Sequence, residues 1–262
     1  MNLDLKGKRA IVCGSTQGLG KASAVELAKL GASVILMARN EQTLQATQSE
    51  LDTRNGQTHG YLVADFSDVG QVSERVNDFV QHNPPVHILV NNTGGPKGGA
   101  ILEAELSEFL EAFSNHLLCN HVLVQAVVPG MKVERYGRII NIISTSARQP
   151  IPDLGVSNTI RGAVASWAKT LAGELGPFGI TVNNVLPGMT KTGRLDSLIR
   201  SRSAKRGKSV DEITREMIAE IPAGRFAVPE EFGAAVAFLA SPAASYINGV
   251  SLPVDGGRTM SL

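Results

Sequence analysis

The sequence predicts a single doubly wound α/β domain with a seven-stranded, mostly parallel sheet. Short runs of β-branched and aliphatic residues alternate with longer amphipathic stretches, and Gly, Pro, Asn or Asp marks each change. This alternation is typical of βαβ units. The run Ile88-Leu89-Val90 is apolar at consecutive positions, as expected of a strand that helices cover on both faces. No linker, repeat or low-complexity tract divides residues 1–262, so we expect one domain.

The strands and helices follow from the same alternation. The predicted strands are residues 9–13, 33–37, 60–64, 86–91, 138–143, 181–186 and 250–253. The segments between them are predicted helices. Two of these, 109–133 and 157–175, have more apolar positions than one sheet face requires. Such a surplus indicates either subunit contacts or a large core.

Composition excludes several classes of protein. Lys and Arg (25) nearly balance Asp and Glu (24), so the basic surface of a nucleic-acid-binding domain is missing. A membrane-spanning helix needs roughly 20 apolar residues, and the apolar stretches here, such as 234–240, are far shorter. The start of the chain resembles neither a secretory signal nor a transit peptide, so we expect a cytoplasmic protein. The two cysteines form no CxxC or Cys/His cluster, so we expect no metal site.

A glycine-rich turn follows the first predicted strand and precedes a helical pattern. This order of strand, turn and helix suits a pyrophosphate, which binds backbone amides at a helix N-terminus. A P-loop is excluded because Ala22 occupies the position of its Ser/Thr. The candidate cofactor-binding residues in this turn are Gly14, Ser15, Thr16, Gly18, Leu19 and Gly20.

The residue after the second strand bears on the choice of nucleotide. An acidic side chain there binds the ribose hydroxyls of NAD, whereas an arginine accommodates the 2′-phosphate of NADP. Arg39 occupies this position. We therefore expect NADP rather than NAD, with an ordinary surface cation as the alternative interpretation.

The chain resembles the short-chain dehydrogenase/reductase family, whose fold is Rossmann-type, and within it the 3-oxoacyl-acyl-carrier-protein reductase group. The resemblance runs essentially from end to end and rests on Gly14/Gly18/Gly20, Asn91-Asn92-Thr93-Gly94, the 137–144 strand, 182–188 and Asp255-Gly256-Gly257. It implies a small-molecule carbonyl or alcohol as substrate and a homotetramer or homodimer. It also implies that Asp65 and Asn91 border the adenine side, and that Pro187, Gly188 and Thr192 approach the nicotinamide.

The catalytic positions differ from the family pattern. The family's reductases use a serine, a YxxxK pair and an asparagine, but the residues four places after the three tyrosines are Asp65, Ile140 and Val250. The resemblance places Ser157 at the tyrosine position and Arg161 at the lysine position. It places Ser144 at the serine position and His116 at the asparagine position. These four residues are the candidate catalytic set.

The substitutions affect proton supply more than binding. Hydride delivery to a carbonyl builds negative charge on oxygen, which must be stabilised and protonated. A serine is no substitute for the tyrosine as an acid, and a guanidinium keeps its proton. His116 is a candidate donor because an unperturbed imidazole titrates at about 6.5, although a packed histidine is the alternative. Two function classes follow: an NADP-dependent oxidoreductase with an altered proton relay, or an NADP(H)-binding sensor or partner subunit.

Residues 189–221 are predicted to form a lid on the substrate side. Seven cations lie in its first part: Lys191, Arg194, Arg200, Arg202, Lys205, Arg206 and Lys208. They indicate either a solvated helix surface or a basic rim that attracts a phosphate-bearing substrate.

Overall fold

The protein folds around one parallel sheet. A computed structural model describes residues 1–261, and its strands are β1 (Arg9–Cys13), β2 (Ser33–Ala38), β3 (Gly60–Val63), β4 (Ile88–Asn91), β5 (Gly137–Ile142), β6 (Ile180–Pro187) and β7 (Ser251–Val254). Their order in the sheet is β3-β2-β1-β4-β5-β6-β7. Every neighbouring pair is parallel. The doubly wound fold and its seven strands are confirmed, and the mostly parallel sheet is parallel throughout.

Helices connect successive strands, because parallel strands need a crossover connection. They are α1 (Gly18–Lys29), α2 (Glu41–Ser49), α3 (Val69–His82), α4 (Leu106–Phe113), α5 (Cys119–Glu134), α6 (Gly155–Leu175), α7 (Gly193–Arg206), α8 (Val210–Ala219) and α9 (Pro229–Ala240). The predicted helix at 109–133 is interrupted, because a π-helical turn at Ser114–Leu118 separates α4 from α5. None of the helices in residues 1–261 is long and apolar enough to cross a membrane.

The sheet is apolar on both faces. Along β1, Ala10 and Val12 belong to one buried cluster, which includes Phe232 of α9. Ile11 and Cys13 belong to the other, which includes Leu123 of α5. Because side chains alternate along a strand, consecutive apolar residues are buried on opposite faces. This is why the strands read as continuous apolar runs.

The order of the strands creates a crevice at their carboxyl ends. The chain winds outward from β1 in one direction through β2 and β3, and in the other through β4 to β7. Ligands of such sheets bind where the order reverses, which is between β1 and β4. Asn92, just after β4, closes this junction by donating from Nδ2 to the carbonyl oxygens of Cys13 and Gly14, both at 3.2 Å.

The segment 189–221 has an apolar cluster of its own. Leu195 and Ile199 of α7 pack with Ile213 and Met217 of α8 and with Phe226. The cluster is separate from the two sheet clusters, so α7 and α8 have a small apolar core of their own.

Candidate active site

The glycine turn is shaped by its backbone. Gly14 and Gly18 have φ angles of +56° and +53°, a region that side chains disfavour. A Cβ on Gly20 would lie 2.1 Å from the carbonyl oxygen of Gly14, closer than atoms can approach. Glycine is therefore required here, as the sequence indicated.

The turn presents free amides to a ligand. Gln17 stands at the N-cap of α1 and makes no capping hydrogen bond with its side chain, so the first amides of this helix have no side-chain acceptor. Thr192 lies opposite, with its Cγ2 3.5 Å from the position that a Cβ on Gly18 would take. Uncapped amides and a helix N-terminus fit a dinucleotide diphosphate.

The other turn residues have different surroundings. Ser15 is fully buried, and its Oγ accepts a hydrogen bond from the Met37 amide at 3.0 Å. This side chain ties the turn to β2. Thr16 and Leu19 are partly exposed, and Leu19 packs against the buried cluster that contains Phe232.

Arg39 and Asp65 lie at the ends of neighbouring strands β2 and β3. Hydrogen bonds with Ser67 hold the pKa of Asp65 below its usual range, and the charge of Arg39 contributes to the same shift. Arg39 is exposed and makes no ion pair within residues 1–261. It is therefore available to an anionic ligand at this end of the crevice.

Asn91 belongs to a ladder of amides across four strands. Its Nδ2 donates to Asn141 at 2.8 Å, Asn141 donates to Asn184 at 3.0 Å, and Asn184 donates to Ser251 at 3.1 Å. Paired positions in parallel strands bring these side chains together. The Oδ1 of Asn91 is buried without a partner. The side chain predicted to border the adenine thus also joins strands.

Pro187 and Gly188 end β6 beside the C-terminal glycine motif. A Cβ on Gly188 would lie 2.5 Å from the Cα of Asp255. This close approach explains why glycine follows Pro187, and it fixes the start of the segment that carries Thr192.

Arg161 is a buried cation without a counter-ion. The residue is 8% exposed, its Nη1 donates to the Ile142 carbonyl at 3.2 Å, and its Nε is buried without a partner. No carboxylate lies within ion-pair distance of it among residues 1–261. Burial, and then the charge of Arg194, lowers the pKa of Arg161 to about 10, so the side chain is still a cation at neutral pH.

The two candidate serines lie close to Arg161 in the fold. Ser157 is one turn earlier on α6, buried on the same face of the helix. Ser144 follows Ile142 by two residues, and its Oγ accepts from the Ser146 amide at 3.1 Å. The ends of α6 and β5 thus carry both hydroxyls and the guanidinium to one region.

His116 is buried in the π-helical turn and is neutral. Its Nδ1 lies 2.5 Å from Oγ1 of Thr93. Burial, and then the charge of Arg161, lowers the pKa of His116 to about 3. This corrects the expectation that His116 titrates near neutrality, because a buried imidazolium next to a cation is disfavoured.

Sequence reasoning missed two neighbours of this cluster. Thr93 stands where the family's Asn-Asn-Ala-Gly motif has alanine. This substitution was the signal by which the sequence could have identified Thr93 as a site residue. Arg194 was one of seven cations in the predicted lid. Its Nη2 lies near Arg161, and it donates to the Pro96 carbonyl at 3.4 Å. By contrast, Arg206 and Lys208 pair with Glu216 at 2.6 and 2.5 Å.

A groove lies at the start of α6. It has a volume of about 620 Å³ and is lined by residues 99–101 and 150–153 together with Gly155, Asn158 and Thr159 of α6. Asn158 lies three residues before Arg161 on α6, and residues three apart are neighbours on a helix surface. The groove therefore adjoins the part of α6 that carries the candidate catalytic residues.

Known proteins share this whole architecture. The family model described as enoyl-(acyl carrier protein) reductase matches residues 14–259. Cyclohexanol dehydrogenase of Rhodococcus sp. (strain TK6) is 31% identical over 280 residues, covering 99% of both chains. The 3-oxoacyl-[acyl-carrier-protein] reductase of Vibrio cholerae is 34% identical over 260 residues, covering 98% of this chain and 100% of that one. The structure of L-sorbose reductase from Gluconobacter frateurii, complexed with NADPH and L-sorbose, is 29% identical with a TM-score of 0.93 and full coverage of both chains.

The chain belongs to the short-chain dehydrogenase/reductase family. It is an enzyme of the NAD(P)-dependent oxidoreductase class that this family comprises. The relatives act on an alicyclic alcohol, an acyl thioester carrier and a sugar according to their names, so the family fixes the reaction class and leaves the substrate open.

Proposed function

We propose that this protein is an NADP(H)-dependent reductase of a small-molecule carbonyl that works without a tyrosine acid. The observation that carries the proposal is the cluster at the carboxyl ends of β4 and β5. There the buried, unpaired Arg161 lies with two serines near a dinucleotide-shaped turn. A cation held in a low-dielectric site stabilises negative charge on a reacting oxygen.

NADP is the cofactor that the charges favour. Arg39 is exposed at the end of β2 with no ion pair in the described chain, and a guanidinium binds a phosphate through paired N–H groups. The L-sorbose reductase structure contains NADPH, which supports the same choice. Gly14, Gly18 and Gly20 would hold the diphosphate, and Thr192 would approach the nicotinamide.

The reaction needs a hydride, a stabilised oxyanion and a proton. When bound, the nicotinamide supplies the hydride to the carbonyl carbon. The carbonyl oxygen gains negative charge, which Arg161 stabilises while the hydroxyls of Ser144 and Ser157 donate hydrogen bonds. The Ser157 hydroxyl passes one proton from water to that oxygen, so the carbonyl becomes an alcohol and one solvent proton is consumed.

His116 serves as a positioning residue in this scheme. It is neutral at neutral pH, and Thr93 lies at hydrogen-bond distance from Nδ1. If the Thr93 hydroxyl donates to Nδ1, the proton of the imidazole is assigned to Nε2. His116 then holds the loop after β4 against α5 without supplying a proton.

The test is NADPH and NADH oxidation, followed by absorbance, across 3-oxoacyl thioesters and simple ketones. We expect turnover with NADPH preferred, and we expect Arg39→Ala to weaken NADPH relative to NADH by about tenfold or more, because one charge-assisted hydrogen bond contributes about 1.5–3 kcal/mol. Lys29→Ala, a distant surface change at the end of α1, is the control. If the unmodified protein is inactive but Ser157→Tyr/Arg161→Lys is active, the chain binds NADP(H) as a sensor or partner subunit instead.

The rest of the proposal concerns assembly and location. Leu106 and Leu110 of α4 are 80% and 72% exposed, and an apolar face of this kind favours a second copy of the chain, as a homodimer or homotetramer. We place residues 189–221 as the lid over the substrate, since Thr192 and Arg194 reach the crevice from this segment. A cytoplasmic location remains the prediction.

A further inference from the structure

Two arginines approach the same point above the loop that follows β4. A Cβ on Gly95 would lie 3.8 Å from Nη2 of Arg194 and 4.0 Å from Nη2 of Arg161. A Cβ on Gly94 would meet nothing within 4 Å. The two guanidinium groups therefore border open space, and the glycines leave that space free of side chains.

Neither charge is neutralised by the chain. Arg161 and Arg194 form no ion pair within residues 1–261, and the charge of Arg194 disfavours the charged form of Arg161. Arg161 is only 8% exposed, and its Nε has no hydrogen-bond partner. Burying a cation without a partner is costly, so the arrangement favours an anion that comes from outside the chain.

We propose that Arg161 and Arg194, which we call the arginine pair, bind the carboxylate of an oxo-acid substrate. The proposal rests on the proposed function and names the substrate class of that site. Nη2 of Arg161 makes no hydrogen bond within the described residues, so its two N–H donors face the open space. Arg194 lies at the mouth of the site, exposed on α7, where it meets an incoming anion first.

A carboxylate suits the position better than the cofactor's diphosphate does. The diphosphate is accounted for by the glycine turn, which follows β1, and Thr192 at the start of α7 lies against Gly18 of that turn. The arginine pair lies at the loop after β4, beside Thr93 and His116 and one helical turn from Ser157. In a 3-oxo acid, one methylene separates the ketone from the carboxylate. The ketone oxygen and the carboxylate then reach the same cationic cluster. That cluster binds the carboxylate and also stabilises the negative charge that develops on the ketone oxygen.

The test compares an acid with its neutral ester. Acetoacetate and methyl acetoacetate carry the same ketone and differ in charge. Their binding is measured by calorimetry to the protein alone and to the protein with NADP⁺, which has no hydride to transfer, so turnover does not interfere. We expect acetoacetate to bind at least tenfold more tightly than the ester, and this preference to weaken as salt is raised.

Variants assign the preference to the pair. The acid-to-ester ratio is the affinity for acetoacetate divided by the affinity for methyl acetoacetate. Arg194→Gln is expected to reduce this ratio at least fivefold, whereas Arg194→Lys is expected to retain most of it because the charge is kept. Arg200→Gln is the matched control, since Arg200 is exposed on the same helix and has no ion pair in the described chain. Arg161→Gln is expected to act like Arg194→Gln, and the Arg194 variants remain informative if that buried change impairs folding.

Three results bear on the carboxylate site and distinguish its failure from failure of the proposed reductase activity. Equal binding of acid and ester overturns the carboxylate site. Loss of NADP⁺ affinity in Arg194→Gln with an unchanged acid-to-ester ratio also overturns it, because the pair then serves the cofactor's phosphate. An arginine-dependent preference for acetoacetate without NADPH oxidation by any carbonyl supports the carboxylate site and contradicts the proposed reductase.

Discussion

His116 shows how one buried residue couples charge to stability. The side chain is 2% exposed and contacts Thr93, and a charged imidazole there is opposed by burial and by Arg161. A histidine at this position therefore contributes geometry at neutral pH. Its titration matters only when the protein is acidified.

The pKa of His116 predicts acid sensitivity. It falls from 6.5 to about 3 in the folded state, so below pH 6.5 the unfolded chain binds more protons and stability decreases as pH falls. At pH 5, about 1.5 pH units below the pKa of the unfolded chain, the free energy of unfolding is about 2 kcal/mol lower than at pH 7. Urea unfolding at pH 7 and pH 5 measures it.

A variant isolates the contribution of this histidine. In His116→Asn, the decrease in the free energy of unfolding between pH 7 and pH 5 is expected to be about 2 kcal/mol smaller than in wild type, because no group at that position then titrates. Asn77→Ala, a change of an exposed residue on α3 that carries no titratable group, is the control and is expected to leave this decrease unchanged. An identical pH dependence in wild type and His116→Asn contradicts the prediction.

Arg161 has one neighbour that local sequence identifies and one that it does not. Ser157 is found by helical spacing alone, since residues four apart share a face. Arg194 lies 33 positions away in the chain and belongs to a different helix. Only packing of α7 against the crevice brings it to Arg161.

At the level of elements, the turn between β1 and α1 depends on close backbone contact. The carbonyl of Gly14, the amide of Asn92 and the start of α1 meet within this turn. A side chain at Gly20 has no room, since both the Gly14 carbonyl and Asn92 Nδ2 lie within 2.7 Å of its Cβ position.

Gly20→Ala is therefore expected to lower the free energy of unfolding by about 1–3 kcal/mol, the cost of overpacking. It is also expected to weaken NADPH binding more than tenfold, because the turn must shift to relieve the contact. Thermal or urea unfolding and fluorescence titration with NADPH measure the two effects.

Gly173→Ala provides the control for this prediction. Gly173 lies in α6, where a Cβ would meet nothing within 4 Å, so alanine is expected to leave NADPH binding unchanged and to stabilise the helix by up to about 1 kcal/mol. Equal behaviour of the two alanine variants contradicts the steric account of Gly20.

The π-helical turn is an element that periodicity does not reveal. Residues 109–133 have a continuous helical pattern, and the sequence predicts one helix there. The structure inserts Ser114–Leu118 between α4 and α5, and His116 lies in this turn with its side chain against Thr93. Such turns recur at functional sites, and tertiary contacts decide where they form.

At the level of the whole molecule, one apolar surface is left without a partner. The stripe comprises Leu106, Leu110 and Phe113 of α4, which are 80%, 72% and 40% exposed. Their spacing places them on one side of the helix. The apolar surplus in 157–175 is different, because α6 buries Ile160, Val164 and Leu175 and partly buries Leu171.

The stripe predicts self-association. Leu106→Ser/Leu110→Ser is expected to shift the protein from dimer or tetramer toward monomer, since the double change removes two exposed apolar side chains from the contact. Light scattering across a concentration series measures the mass. Val133→Ser, an equally exposed valine at the end of α5, is the control, and a wild-type monomer at every concentration contradicts the prediction.

The sequence by itself determined the fold class, the seven strands, the glycine turn and the departure at Ser157 and Arg161. These features are local: they depend on residue type, period and spacing along the chain. Tertiary structure decided which cations matter. Arg194 reaches Arg161 while Arg206 and Lys208 pair with Glu216, and His116 is neutral because burial and a neighbouring guanidinium oppose its charge. Electrostatic energy depends on distance and burial in space, and neither is set by distance along the chain.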